Sequence, residues 1–275
     1  MSDPHNASIP KIIAIANQKG GVGKTTTAIN LASGLTELGL RVLLIDLDPQ
    51  GNASTGLGIE TADRRLTSYD LILNQHALAE VIQNTAVDGL LICPANSDLS
   101  SADVELVQNP NRSQRLRQAL HKGSIENLDL DYILIDCPPS LTLLTVNALV
   151  ACDTVLVPLQ TEFFALEGLS QLMLTIRQIR QTANSNLRIE GVVMTMFDGR
   201  NNLSLQVERD ARETLGDLVF QTMIPRNVRV SEAPSYAQSV LSYDTASKGS
   251  EAYRALAREL IDRQTPALLQ TKGAA

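Results

Sequence analysis

Two lysines and three glycines lie close together near the start of the chain, in the segment Asn17–Thr26 (NQKGGVGKTT). Glycines let backbone N–H groups approach an anion closely, and lysine adds a positive charge, so this composition suits phosphate binding. A short apolar run over residues 12–16 comes before it, and apolar positions with helical spacing follow from Thr25 to Leu38. A glycine-rich loop between a strand and a helix predicts a site for nucleotide phosphates.

Each residue type in the loop has a place in this chemistry. Lys24 is predicted to reach the β- and γ-phosphates of the nucleotide, and the Thr25 hydroxyl to ligate Mg²⁺. The predicted nucleotide contacts are Lys19, Gly20, Gly21, Val22, Gly23, Lys24, Thr25 and Thr26. The ordinary pattern G-x-x-x-x-G-K-S/T has a glycine where this chain has Gln18, and Lys19 is an additional cation. The alternative is a glycine-rich turn in which the two lysines occur by chance.

Three carboxylates lie at the ends of predicted strands, namely Asp46, Asp48 and Asp136. Ligands of α/β proteins bind at the carboxyl ends of the strands, so these side chains are predicted to face a positive partner. Asp136 is predicted to hold Mg²⁺ through water. Asp46 and Asp48 are two residues apart and share one face of an extended segment. The alternatives are a helix cap for Asp136 and a cap of the turn over residues 51–54 for the pair.

Alternating apolar runs and helical patterns extend along the whole chain. The predicted strands cover residues 12–16, 42–47, 90–93, 132–136, 154–158, 189–196 and 219–224. The predicted helices cover residues 25–38, 112–120, 141–150, 165–180, 203–215 and 250–263. This alternation predicts an α/β fold with a doubly wound, mostly parallel sheet flanked by helices. We expect a flexible extension over residues 1–10, one domain over 11–264 and a flexible tail over 265–275.

Composition limits the functional classes. The chain has 275 residues, of which 44% are hydrophobic and 19% charged, which excludes intrinsic disorder. Its formal net charge of -7 argues against a nucleic-acid partner when taken as a property of the whole chain. Its three cysteines lie far apart, so neither a disulfide framework nor a zinc site is expected. We expect a soluble cytoplasmic protein, since no signal peptide or membrane span is recognisable.

The loop pattern K-G-G-x-G-K-S/T with its early lysine resembles the deviant Walker A ATPases, a group of P-loop NTPases that includes ParA and Soj partition proteins, MinD and the nitrogenase iron protein. Five further blocks, in the same order, are similar to the Soj-type chromosome partition ATPases: Val42–Asn52, Ile133–Ser140, Ala165–Gly168, Thr195–Leu203 and Ile224–Pro234. The resemblance implies a Mg²⁺-dependent ATPase with weak intrinsic activity.

The resemblance also implies roles for particular residues. Asp48 would position the attacking water and Asp46 would support the metal shell. Lys19 would reach the phosphates bound by a second subunit, in a homodimer that encloses two ATP molecules, and Gly20 would stay small because the partner approaches there. Pro225 and Asn227 are the predicted contacts of the adenine base, although Pro225 could merely end a strand.

The family further implies binding of nonspecific double-stranded DNA by the ATP dimer and stimulation of hydrolysis by a ParB-like partner, hence a nucleoid-associated protein. Arg200 and Arg229 match the DNA-contacting arginines, and Arg226 and Lys248 complete the predicted basic cluster. The net charge of the chain does not support DNA binding. The case for this cluster therefore rests on its placement in loops at one end of the sheet. The alternative role of Arg200 and Arg229 is surface ion pairing with the acidic residues beside them.

Two other functions stay open at this point. A MinD-like ATPase positioned at a membrane would need a basic amphipathic C-terminal helix, but the segment over residues 250–263 mixes acids with arginines. A ParA-like ATPase could also move a cargo other than a chromosome. An iron–sulfur cluster, as in the nitrogenase iron protein, is less expected, because Cys93 and Cys137 resemble buried inert thiols.

Overall fold

The computed structural model describes residues 9–73, 75–122 and 125–272. One eight-stranded sheet forms the centre of the molecule, with strand order β3-β4-β2-β5-β1-β6-β7-β8. Every neighbouring pair is parallel except β3 with β4. The strands are β1 (Lys11–Ile15), β2 (Val42–Asp46), β3 (Gln83–Asn84), β4 (Leu90–Cys93), β5 (Tyr132–Asp136), β6 (Thr154–Gln160), β7 (Arg188–Phe197) and β8 (Val219–Pro225).

Helices connect the strands. Within the described ranges they are α1 (Lys24–Thr36), α2 (Asn52–Gly56), α3 (Ser68–Ile72), α4 (Leu78–Val81), α5 (Ala102–Glu105), α6 (Arg115–Lys122), α7 (Leu143–Ala151), α8 (Ala165–Thr182), α9 (Asn202–Leu215), α10 (Val228–Glu232), α11 (Val240–Tyr243) and α12 (Lys248–Lys272). The mostly parallel sheet with flanking helices confirms the predicted α/β fold of the P-loop NTPase type.

Helices cover both faces of the sheet because neighbouring residues of a strand point in opposite directions. In β1, Ile12 and Ala14 belong to one hydrophobic cluster, whereas Ile13 and Ile15 belong to the cluster on the other face. The central strands β1, β2 and β5 are buried along nearly their whole length. This explains why the sequence shows continuous apolar runs rather than alternation.

The parallel register brings the ends of the central strands together. Asp136 pairs with Ile15 at the end of β1 and with Asp46 at the end of β2. The glycine-rich loop follows β1, so the loop and the strand-end carboxylates lie at the same edge of the sheet. Strand order reverses around β1, which is where doubly wound folds bind their ligands.

The outer edge of β8 is closed by side chains. The carboxylate of Glu259 on α12 accepts hydrogen bonds from the backbone N–H groups of Gln221 and Thr222, at 2.7 and 2.8 Å. Arg263 donates to the carbonyl of Val219 at 2.9 Å. The opposite edge carries β3, which is only two residues long. Both ends of the sheet therefore offer little free backbone.

The chain ends differ from the sequence prediction in extent. The predicted N-terminal extension lies outside the described residues except for Ile9 and Pro10, and α12 continues to Lys272, past the predicted domain end at residue 264. Residues 273–275 lie outside the described ranges, so the flexibility of both ends stays a prediction. No helix in the described part of the chain is long and apolar enough to cross a membrane.

Candidate nucleotide site and basic cluster

The loop between β1 and α1 has the backbone of a phosphate cradle. Gly21 and Gly23 have φ angles of 75° and 84°, in the left-handed region that favours glycine. Gly23 caps α1 without any side-chain hydrogen bond, so the first N–H groups of the helix are available to an anion. Thr25 and Thr26 follow in the first turn, and the carbonyl of buried Val22 accepts a hydrogen bond from Thr195 Oγ1 at 2.8 Å.

Lys24 lies inside this cradle. Its side chain is almost fully buried, and Nζ donates to the carbonyl of Lys19 at 2.9 Å, across the loop. Burial lowers the pKa of Lys24, while the nearby carboxylate of Asp136 opposes that shift. The ammonium group therefore lies within the loop, where an anionic phosphate would stabilise its charged form.

Lys19 has a different environment. Its ammonium group forms an ion pair with Glu162, in the loop after β6, and both side chains are about one-third exposed, at 37% and 33%. The Lys19 backbone N–H donates to Asn17 Oδ1 at 3.1 Å, and Asn17 Nδ2 donates to the Pro158 carbonyl at 2.8 Å. The loop is thus braced against β6 while the Lys19 side chain stays on the surface.

Nothing within the described part of the chain itself requires a glycine at position 20. Its φ lies outside the left-handed region, and an added Cβ would have one neighbour within 4 Å, the Pro139 Cβ at 3.9 Å. That distance is ordinary van der Waals contact. The small residue therefore leaves open space beside Lys19 rather than relieving strain.

Asp136 has the properties of a metal ligand. It is fully buried at the end of β5, and neither carboxylate oxygen is in hydrogen-bonding geometry with a donor. Burial raises its pKa well above the usual range, and the negative charge of Asp46 adds to the rise, while the nearby Thr25 hydroxyl opposes it. A buried carboxylate without a partner fits a site for Mg²⁺, with Thr25 on the same side.

Asp46 and Asp48 are held in a network of their own. Asp46 accepts hydrogen bonds from Ser54 N and Oγ at 2.9 and 2.7 Å and from Asp48 N at 3.1 Å. Burial raises the pKa of Asp46 to about 6. These contacts correspond to the turn-capping alternative, and the metal-shell role of Asp46 stays a prediction. Asp48 accepts a hydrogen bond from Gln50 N at 3.0 Å and lines a cavity together with Pro138 and Pro139.

A buried arginine that the sequence did not single out ties down the segment after Asp48. Arg64 donates to the carbonyls of Ile59 and Ala95 and to Thr55 Oγ1. Gly51, with φ 62°, leaves room for it, since a Cβ there would lie 2.3 Å from Arg64 Nη1. No motif or periodicity marks Arg64, because its partners are two backbone carbonyls and a threonine hydroxyl that lie 5 to 31 residues away.

Among the described residues, no three acidic, histidine or cysteine side chains are grouped closely enough to hold a metal by themselves. Mg²⁺ commonly uses one or two protein ligands together with nucleotide phosphates and water, so this result fits an ion bound with its nucleotide. Asp136 and Thr25 are the residues that would hold it. Bound there, the ion would supply charge stabilisation to the phosphates.

A cavity beside the loop suits the nucleotide base. It is lined by Gly23, Thr26, Thr195, Met196, Ile224, Pro225, Arg226, Asn227, Val230, Ser231 and Tyr253. Both predicted base contacts, Pro225 and Asn227, lie in this lining. Asn227 Oδ1 is already used, because it caps α10 by accepting from Arg229 N at 2.8 Å and Val230 N at 3.3 Å. Thr195 and Met196 also line the cavity; they were not predicted as base contacts, although they begin the family-like block Thr195–Leu203.

All three cysteines are buried and unpaired. Burial raises the pKa of Cys137 well above its usual range, with the carboxylate of Asp136 adding to the shift. Burial also raises the pKa of Cys93. Their burial agrees with the prediction of inert thiols.

The four predicted basic residues lie around the ends of β7 and β8. Arg226 N donates to the Phe197 carbonyl, which places β8's end beside the turn that holds Arg200. Lys248 begins α12, and the adjacent Gly249 packs against Val230 in α10, the helix that carries Arg229. Arg200 is paired with Asp198, and Arg229 with Glu232 and Asp244. The four basic residues therefore lie on neighbouring elements, and Arg200 and Arg229 make the ion pairs of the alternative interpretation.

Fold and loop together define a P-loop NTPase of the deviant Walker A type. Comparison with known proteins agrees: the family described as "AAA domain" matches residues 10–189. The chain is 56% identical over 254 residues to the chromosome partitioning protein ParA of Caulobacter vibrioides (strain NA1000 / CB15N), covering 92% of this chain and 95% of that protein. It is 50% identical over 250 residues to the sporulation initiation inhibitor protein Soj of Bacillus subtilis (strain 168), covering 91% and 98%.

A solved structure is also similar. Cobyrinic acid a,c-diamide synthase from Mycobacterium smegmatis, with bound ADP and magnesium, superposes with a TM-score of 0.80 at 35% identity, covering 94% of this chain and 96% of that one. The chain belongs to the ParA/Soj family of chromosome partitioning ATPases.

Proposed function

We propose that this chain is a Mg²⁺-dependent ATPase that dimerises on ATP, binds DNA without sequence preference as the dimer, and segregates a chromosome or plasmid. A ParB-like partner stimulates its hydrolysis and thereby releases it from DNA. The relative named as a chromosome partitioning protein supports the biological role, and the magnesium and nucleotide in the similar mycobacterial structure support the cofactors.

The different settings of the two loop lysines are the observation that carries this proposal. Lys24 is buried and directed across its own loop, so it serves the nucleotide bound by the same chain. Lys19 lies on the surface beside Gly20, next to open space. A second cation so placed is suited to the phosphates of a nucleotide on another subunit, where a residue of this kind can contribute a rate factor of ~10³ to ~10⁵.

The direct test compares Lys19→Ala with Lys24→Ala. Monomer nucleotide affinity is measured by calorimetry, and dimer formation by light scattering coupled to size exclusion, with ATP and Mg²⁺. Lys19→Ala is expected to retain ATP binding while losing the dimer and hydrolysis. Lys24→Ala is expected to lose ATP binding itself. A Lys19→Ala protein that still dimerises on ATP would refute the proposal.

DNA binding follows from dimerisation in this proposal. If each protomer neutralises ~2 phosphates, a dimer neutralises ~4, so log K would fall against log salt with a slope of about -3.6, or ~150-fold between 50 and 200 mM salt. Two weak sites on one rigid body gain from effective concentration, which makes the ATP dimer the binding species. DNA retention that persists after combining Arg200→Ala with Arg229→Ala would contradict the assigned surface.

The stimulating partner needs its own measurement. Phosphate release is followed with ATP alone, with DNA, with a candidate ParB-like protein, and with both together. The proposal expects slow turnover alone and the fastest turnover in the complete mixture. Equal rates in all four mixtures would remove the partner from the cycle while leaving the ATPase assignment intact.

A further inference from the structure

Half of the predicted DNA-contacting cluster is already neutralised by the chain itself. Of its four basic residues, Arg200 and Arg229 hold carboxylates within ion-pair distance. Arg226 and Lys248 are exposed, and no carboxylate among the described residues lies within ion-pair distance of either. The cluster therefore contains two free cations and two that would have to change partner to contact a phosphate.

The pairing of Arg200 with Asp198 is bidentate. Arg200 Nε lies 3.0 Å from Asp198 Oδ1 and Nη2 lies 3.0 Å from Oδ2, so the guanidinium uses the geometry with which it would bind a phosphate. The contact with Arg200 lowers the pKa of Asp198 to about 2, which keeps this carboxylate charged at any physiological pH. The Arg200 side chain is nevertheless 91% exposed, so an incoming phosphate can reach it.

Arg229 is held from two directions. Its Nη1 lies 2.9 Å from Glu232 Oε2 in α10, and its Nε lies 3.2 Å from Asp244 Oδ2, just after α11. Its side chain is about half exposed. Two carboxylates from two elements thus share one guanidinium.

We infer that Asp198, together with Glu232 and Asp244, competes with DNA phosphate for Arg200 and Arg229. This inference rests on the proposed function, because it concerns the affinity of the same DNA surface. On binding DNA, each arginine exchanges a carboxylate of its own chain for a phosphate, whereas Arg226 and Lys248 have no ion-pair partner in the described part of the chain to lose. The acidic residues set the affinity below what four free cations would give, so the protein leaves DNA readily.

The size of the effect follows from the exposure of the pairs. Exposed ion pairs of this kind shift an equilibrium by a factor of ~2 to ~5. A dimer presents two copies of the Arg200–Asp198 pair on one DNA, so releasing both arginines is expected to tighten DNA binding by ~4-fold to ~25-fold. The gain should shrink as salt rises, since salt screens both the ion pair and the DNA contact.

The test uses Asp198→Asn in the full chain with ATP, Mg²⁺ and a double-stranded DNA of random sequence. The backbone N–H of Arg200 donates to Asp198 Oδ1 at 3.0 Å. Asparagine keeps an oxygen acceptor at this position, so the turn is preserved. The matched control is Glu213→Gln, which removes the same charge from an exposed position on α9, 11 residues and about 16 Å beyond Asn202 along that helix. DNA affinity is measured by fluorescence anisotropy at several salt concentrations.

A second pair of variants separates competition from simple charge. Asp198→Asn is also made in the Arg200→Ala background, where the bidentate partner of Asp198 is gone and only the weaker attraction of Arg226 to Asp198 remains. The inference expects at least a ~4-fold gain in the wild-type background, less than ~2-fold for Glu213→Gln, and no more than the control gain in the Arg200→Ala background.

Three results would overturn the inference: a gain equal to that of Glu213→Gln, a gain that persists with Arg200→Ala, or weaker DNA binding by Asp198→Asn. The last would make Asp198 a residue that orients Arg200 toward DNA. Failure of the proposed function has a different signature, since neither the wild-type protein nor Asp198→Asn would then retain DNA with ATP.

Discussion

Replacing Gly20 by alanine distinguishes two possible reasons for a glycine at this position. One is the stability of the chain itself, and the other is the close approach of a second subunit. The added Cβ has ordinary contact with Pro139 at 3.9 Å and no other neighbour within 4 Å, and the φ of Gly20 suits an L-residue. The next residue, Gly21, also has open space where a Cβ would lie, but its φ is 75°. These two adjacent glycines therefore predict opposite effects of the same substitution.

The magnitudes follow from backbone conformation. Gly20→Ala reduces the freedom of the unfolded chain and is expected to raise the free energy of unfolding by about 0.4–1 kcal/mol. Gly21→Ala forces a side chain into the left-handed region and is expected to lower it by about 1–2 kcal/mol. For a chain of this size, the melting temperature should rise by ~1 to ~3 °C in the first variant and fall by ~2 to ~6 °C in the second.

Dimerisation gives the contrasting result. If a second subunit approaches at Gly20, each added Cβ meets the partner's surface, and overpacking of this kind costs about 1–3 kcal/mol at each of two copies. The ATP dimer of Gly20→Ala should therefore weaken by at least ~10-fold, although its monomer is more stable than the wild type. Sedimentation with a non-hydrolysable ATP analogue, beside thermal melts without nucleotide, gives both quantities.

One outcome would refute this reasoning directly. A Gly20→Ala protein that melts higher and still dimerises like the wild type would show that no partner occupies the space beside Lys19. A Gly20→Ala protein that melts lower would instead show that the chain itself requires glycine at this position.

Three further predictions concern the nucleotide site. Thr195→Val removes the hydrogen bond to the Val22 carbonyl and should weaken ATP binding ~3-fold to ~10-fold by calorimetry, with Thr195→Ser retaining the wild-type affinity. Asp136→Asn should raise the melting temperature of the nucleotide-free protein at pH 7.5 by ~2 °C or more. Burial raises the pKa of Asp136 in the native state above its unfolded value, so the native state binds protons more tightly than the unfolded state. The contribution of Asp136 to stability therefore falls as pH rises, and the advantage of asparagine should shrink on acidification. Arg64→Met should lower the melting temperature by ~4 to ~10 °C and slow ATP turnover, measured as phosphate release, because the segment after Asp48 loses its anchor.

The central strands could be predicted from the sequence because parallel strands buried on both faces leave short continuous apolar runs. The predicted run over residues 132–136 matches β5 at both ends, and the run over residues 42–47 matches β2 except that the strand ends one residue earlier, at Asp46. Strand β3 was missed, since Gln83 and Asn84 are polar and two residues cannot show a period. Helix α7 begins at Leu143 rather than Leu141, because the chain is still extended at Thr142, the residue before the helix.

Some residues of the candidate site could likewise be predicted from the sequence, whereas the contacts of others depend on the fold. The loop lysines and glycines could be recognised because their chemistry depends on neighbours in sequence. The partner of Lys19 could not, since Glu162 lies 143 residues away and stands beside it only through the pairing of β1 with β6. The ion pairs of Arg200 and Arg229 were foreseen as an alternative because their acidic partners are near in sequence, whereas Asp244 requires the fold.

The side chains that close β8 limit how copies of this chain can associate. Exposed strand edges are the usual route by which sheets extend from one molecule into the next and begin to aggregate. Here Glu259 and Arg263 occupy backbone groups of Val219, Gln221 and Thr222 that an added strand would use, and the far edge ends in a two-residue antiparallel strand. If the proposed DNA binding brings many copies together on one stretch of DNA, these closed edges would let the copies remain separate molecules rather than join their sheets into a fibre.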